Sequence, residues 1–223
     1  MDRGRLEAFS DGVFAVAITL LALDLTVPEP GHRLMGQQLA SHWPSFAAYV
    51  VSFLSIGIIW VNHHALVRNF AVVDRTVLFL NLLMLFFVVT IPFATATMAA
   101  YLRTGGGDAS VAAAIYQGVF LGMSLAFGGL LWWSMRRGHL TVPLTGPAAR
   151  TALVRFTIGN LAYAAAIGIA YLSAPASLLV SLLVAVYYVF EHTPASGPDR
   201  AVPERAAAEP ASPEPASPEP GDR

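Results

Sequence analysis

Cysteine and lysine are both absent from the 223 residues. The first absence excludes disulfides, thiolate metal sites and cysteine nucleophiles, and it leaves the compartment open. The second leaves all thirteen basic positions to arginine. Charge of either sign is scarce, at 12% of the chain, about half of what a soluble domain carries to keep its surface wet. A net charge of −1 without a clustered basic face argues against a nucleic-acid surface.

What fills the chain instead is apolar: 56% of residues are hydrophobic and the mean hydropathy is +0.60. A helix needs about 20 apolar residues to cross the hydrocarbon core. Six stretches reach or approach that length, at 6–27, 44–67, 76–101, 111–134, 151–172 and the shorter 176–190. The expectation is an all-α membrane protein of six transmembrane helices in a lipid bilayer. Arg3 and Arg5 ahead of an apolar run resemble the start of a signal peptide. Asp11 interrupts that run, however, and it continues to Val27, so it reads as a retained first span.

Pro28-Glu29-Pro30-Gly31 ends the first span, because proline removes a backbone donor and disfavours helix in the residue before it. Gly105-Gly106-Gly107-Asp108 divides the third span from the fourth, and Ser173-Ala174-Pro175 turns the chain between the last two. Arg3, Arg5, Arg68, Arg75, Arg136, Arg137, Arg150 and Arg155 fall on one side of this topology, Arg33 and Arg103 on the other. That asymmetry places both termini in the cytoplasm, as an even number of spans requires. Trp43, Tyr101, Trp132 and Trp133 stand near span ends, where amphipathic rings favour the interface. Residues 1–192 therefore read as the transmembrane domain. The Pro/Ala/Glu repeat of 193–223 has nothing to bury and reads as a disordered cytoplasmic tail.

An ionisable group inside a span costs about 2.5–3.5 kcal/mol at the bilayer centre, so it takes a partner or a wet cavity. Asp11 lies six residues past Arg5, about 9 Å deeper and about 120° around the helix, too far round to pair along one face. The second span offers Trp60, Asn62, His63 and His64; Trp60 and His64 are four apart and share a face. A buried polar knot of Asp11, Ser10, Trp60 and His64 is expected, with Arg5 and Asn62 nearby. It serves either to pin two helices together or to gate. At 100° per residue, Phe9, Gly12, Val16, Thr19, Leu20, Leu23 and Val27 form one stripe of the first helix. Asp11, Phe14, Ile18, Leu21 and Leu25 fall opposite. Periodicity alone does not separate a packing stripe from a pore wall. Asp24, at the outer end, is either a solvated interfacial acid or a cation-concentrating group at an entrance. Gly118-Val-Phe-Leu-Gly122 has a spacing that permits close helix approach.

The run Arg5-x-x-x-Phe9-Ser10-Asp11, the Gly12–Asp24 segment after it, and Trp60-x-Asn62-His63-His64 resemble the transmembrane-protein-175 family of potassium-permeable channels. The resemblance implies a single six-helix repeat that assembles as a homotetramer, with the first helix of each subunit around a central pore. It implies an apolar constriction at Val16, Leu20 and Leu23 and a selectivity-linked hydroxyl at Thr19. Asp24 then stands at the outer mouth. Val16 occupies a position where the family carries Leu or Ile, which implies a wider narrowest ring. Passive, weakly to moderately selective flow of potassium and other monovalent cations across the plasma membrane follows, with no cofactor, no metal and no enzyme chemistry.

Three other readings compete. A proton-coupled carrier or proton leak would use Asp11 with His63 and His64, but the spans carry no internal repeat and no matching pair of broken helices. A membrane enzyme is opposed by adjacent histidines that share no face and by the lack of a completing ligand in the spans. An assembly protein without transport would differ in showing no flux.

Overall fold

The computed structural model describes residues 2–25, 34–102 and 104–190. Its helices are α1 (Arg3–Leu20), α2 (Met35–Ser41), α3 (Trp43–Arg68), α4 (Arg75–Tyr101), α5 (Gly106–Arg137), α6 (Gly146–Ala170) and α7 (Ala174–Phe190). A 3₁₀ turn, Leu21–Asp24, continues α1. Among the described residues the fold is all-α, with a lone antiparallel bridge between Phe70 and Leu140. Among the described residues five helices are long and apolar enough to cross a membrane, and α7 is a shorter apolar helix. The short α2 sits in a stretch that the sequence presents only as a connection. The proline breaker at 28–31, Val27, Arg33, Arg103 and the tail at 193–223 lie outside the described residues.

The helix ends follow from local chemistry. Asp74 caps α4 by accepting a hydrogen bond from the Val77 amide at 2.7 Å. Gly138 closes α5 in the left-handed conformation, at φ 67°, which a residue without Cβ adopts without strain. Ser173 accepts from the Ala176 amide at 3.3 Å, so the turn before α7 is capped and Pro175 sits in its first turn, where a missing N–H costs nothing.

α4 is the hub, packing on α1, α3 and α5, while α7 closes against α3, α5 and α6. The core they share includes Phe14, Ile56, Met84, Val88, Ile91, Tyr116, Phe120 and Leu130, all but inaccessible. Lipid gives helices no hydrophobic reason to associate, so packing and interhelical hydrogen bonds carry the assembly. Ser52 on α3 joins Thr95 on α4 at 2.7 Å and Tyr116 on α5 at 3.0 Å. Gln117 on α5 donates to the Ser177 carbonyl and hydroxyl at 2.8 Å, and Ser181 donates back to it. Of the two spaced glycines on α5, only Gly122 meets a neighbour, the Phe87 ring; Gly118 faces open space.

The loops after α3 and α5 are clasped at one end of the bundle. The Asn69 side chain donates to the Val142 carbonyl at 3.1 Å and accepts from its amide at 2.9 Å. Trp133 donates to Asp74 at 3.1 Å. Desolvation opposes the Asp74 charge, but the Val77 and Trp133 donors and the nearby His139 outweigh it and hold the carboxyl below its ordinary value. Arg3 reaches across to the last carbonyl of α3, Arg68, at 3.0 Å. The start of α1 is thereby fixed at the arginine-rich end.

Candidate functional site

α1 presents two unlike faces. Leu6, Ser10, Phe14, Ala17 and Leu21 are buried against the rest of the subunit. Phe9, Val16 and Leu20 are 51%, 55% and 40% exposed, and Leu23 is 77% exposed. Gly12 and Thr19 are exposed on the same side. The described part of the apolar stripe therefore lies on the side of α1 that the other described helices leave largely exposed. The 3₁₀ turn keeps it straight: at three residues per turn Leu23 lies directly above Leu20, where an α-helix would rotate it aside. The Thr19 hydroxyl donates to its own backbone, with the Ala15 carbonyl at 3.0 Å and that of Val16 at 2.9 Å. Its proton is spent inside the helix, so the oxygen offers lone pairs outward. Asp24, the last residue of the 3₁₀ turn, is exposed.

The polar residues divide into two networks where the sequence suggests a single buried knot. In the first, His63 Nε2 lies 2.7 Å from Asn81 Oδ1, Asn81 donates to Ser10 at 3.1 Å, and Ser10 donates to the Leu6 carbonyl at 2.9 Å. Because the Asn81 amide nitrogen is the donor to Ser10, its oxygen accepts, and the network assigns the proton to His63 Nε2. All three side chains are buried, and the Phe14 ring stands 5.4 Å from the imidazole. This chain ties α1, α3 and α4 at one level.

In the second network, Trp60 donates to Asp11 Oδ1 at 2.8 Å. His64 Nδ1 lies 3.3 Å from Glu7 and 4.0 Å from Asp11. Asp11 is over a third exposed and Trp60 is 40% exposed, so this cluster lies at the rim of the α1–α3 contact, not inside it. Ser10 and Asp11 are neighbours on α1 and so turn to different partners, Ser10 toward α4 and Asp11 toward α3. Asn62 turns to its own helix. It donates to the Ile58 carbonyl at 2.9 Å and lines a small cavity of about 60 Å³ between α3, α5, α6 and α7, with Arg155 on its wall. Arg5 is exposed.

Glu7 and Asn81 are absent from the sequence-derived set. Asn81 carried a usable signal, as an amide amid a run of Leu and Phe where an unpaired polar group is costly. Glu7 stands four residues before Asp11, which is the spacing of one helix face.

The model of the family "Endosomal/lysosomal potassium channel TMEM175" matches residues 5–92. "Potassium channel B446_29190" of Streptomyces collinus is 50% identical over 195 residues, 86% of this chain and 94% of the relative. A crystal structure of a lysosomal potassium-selective channel TMEM175 homolog from Chamaesiphon minutus superposes with a TM-score of 0.73 at 35% identity, covering 84% of this chain and 96% of that one. The human endosomal/lysosomal proton channel TMEM175 is 38% identical over 112 residues, 46% of this chain and 22% of that protein.

Proposed function

From the premise that the chain belongs to the TMEM175 family of ion channels, multi-pass membrane proteins and not enzymes, we propose how it conducts. It is a potassium-permeable channel whose pore is lined by α1 from four identical subunits. Residues 1–192 form six spans of the plasma membrane with both termini in the cytoplasm, and 193–223 are a cytoplasmic tail. The observation that carries this reading is the apolar stripe of α1, which the described elements of its own subunit leave largely exposed.

Four copies of Val16, Leu20 and Leu23 make stacked apolar rings that close by steric contact or dewetting and conduct when the α1 helices tilt or rotate apart. Potassium sheds its water more readily than sodium, so a tight ring without strong ligands favours it weakly. The four Thr19 oxygens add acceptors between the Val16 and Leu20 rings. Val16 makes the first ring wider than Leu or Ile would, which sets selectivity at the weak to moderate end. Asp24 raises the local cation concentration at the outer mouth.

The rival reading, a proton pathway through Asp11, His63 and His64, finds Asp11 beside His64 but His63 in a separate network. The neighbour of His63 is the Asn81 amide, which does not pass a proton on. The test is flux from purified protein in liposomes, with potassium inside and sodium outside. Downhill potassium flux exceeding that of sodium, and altered by Val16→Asn, is expected. Flux that requires a proton gradient would replace this reading with the carrier.

A further inference from the structure

We propose that Glu7, Asp11 and His64 form a site for a divalent transition-metal cation of the Zn²⁺ class, which fastens α1 to α3. Three ligand atoms converge there, one imidazole nitrogen and one oxygen from each carboxylate, all within 4.8 Å of one another. Tetrahedral zinc with bonds near 2.0–2.2 Å sets its ligand atoms about 3.4 Å apart. The separations of 3.3 Å and 4.0 Å from His64 Nδ1 bracket that value. A water completes the fourth position on the exposed side.

Three features of the cluster call for a cation. Glu7 and Asp11 are one turn apart on the same helix face, where two carboxylates repel each other. His64 Nδ1 is shut off from solvent and makes no hydrogen bond, although it lies 3.3 Å from Glu7 and 4.0 Å from Asp11. Trp60 takes Asp11 Oδ1 with its indole N–H, which holds the carboxylate with Oδ2 turned toward the imidazole. Outer partners that orient a ligand in this way are characteristic of metal centres. The nitrogen ligand and the small number of donors suit Zn²⁺, Co²⁺ or Ni²⁺, not Mg²⁺ or Ca²⁺, which take six or more oxygens. Potassium is larger still and unsuited to three converging donors.

The experiment is titration of the full, tag-free chain in detergent micelles, with Zn²⁺ followed by calorimetry and Co²⁺ by its visible absorption. One Zn²⁺ per chain and the intense bands of tetrahedral Co²⁺ are expected. Glu7→Gln and His64→Gln should each weaken Zn²⁺ at least tenfold, and Trp60→Phe about tenfold through the lost orienting donor. His139→Gln, at the far loop clasp, should leave the affinity unchanged. Glu7 is partly exposed, so Glu7→Gln keeps the test open if His64→Gln fails to fold. Affinity unchanged in Glu7→Gln, or binding abolished only by His139→Gln, would overturn the proposal. The site depends on α1 and α3 alone, so absence of potassium flux would leave it standing.

Discussion

Along one face of α1, Leu6, Phe14 and Leu21 sink into the subunit and Ser10 is tied to Asn81; along the other, Val16, Leu20 and Leu23 stay largely exposed among the described residues. Both faces are mostly apolar, so hydropathy does not tell them apart. What distinguishes them is the polar anchoring. The inner face carries the hydrogen-bonded serine, and its flank carries Asp11, held by Trp60. The outer face carries one hydroxyl whose proton is already used within the helix. A helix anchored on one side and bare on the other is built to offer a defined surface to something outside the subunit.

The contrast breaks most visibly if the inner face is emptied. Phe14→Ala leaves a cavity beside the His63 ring and should cost about 3–5 kcal/mol. Leu23→Ala on the outer face should cost less than about 0.5 kcal/mol in subunit stability. Thermal unfolding in detergent, read at a protein concentration low enough to hold the subunit state constant, compares the two. Equal losses would mean that the outer face is packed after all. Next in size is the polar anchor. Asn81→Leu strands the His63 imidazole without a hydrogen-bond partner in an apolar setting and leaves Ser10 only the Leu6 carbonyl, a loss of about 1–3 kcal/mol in the same assay.

How far the sequence foretold this contrast differs from residue to residue. The stripe was legible because 3.6-residue periodicity survives in any helix, and the 3₁₀ end happens to preserve the Leu20–Leu23 alignment. Trp60 and His64 were legible as a pair for the same reason. Which of the adjacent histidines is buried was not, because two residues 100° apart are equivalent until a third helix arrives, and that helix is α4 with Asn81. Glu7 was lost among the flanking charges at the head of the span. The seven-residue α2 was lost because it is too short to impose a periodicity on its surroundings.

A third comparison moves from stability to conduction. Leu20→Asn places an amide in the proposed constriction, where it wets the ring without disturbing the buried side of α1. Single-channel or liposome flux should rise by about tenfold, equivalent to about 1.4 kcal/mol off the barrier. The same substitution at Leu21, one residue round on the inner face, should instead cost folding and lower the yield of assembled protein. A rise at both positions would mean that flux follows general loosening of the helix and not its outer face.

The smallest effect concerns Thr19, and it separates two sources of selectivity in the proposed pore. In the proposed pore, ring width would discriminate by hydration cost, with Val16 setting that width. In the proposed pore the threonine oxygen would discriminate as a weak ligand, its proton already donated within the helix. Thr19→Val removes the oxygen while keeping the β-branched shape. The potassium-to-sodium flux ratio should fall about two- to threefold, less than about 1 kcal/mol, with total conductance nearly unchanged. Thr19→Ser should restore the ratio, since its hydroxyl can make the same backbone bonds. If Val and Ser both leave the ratio where it was, selectivity resides in the apolar rings, and Val16→Leu becomes the substitution that should raise it.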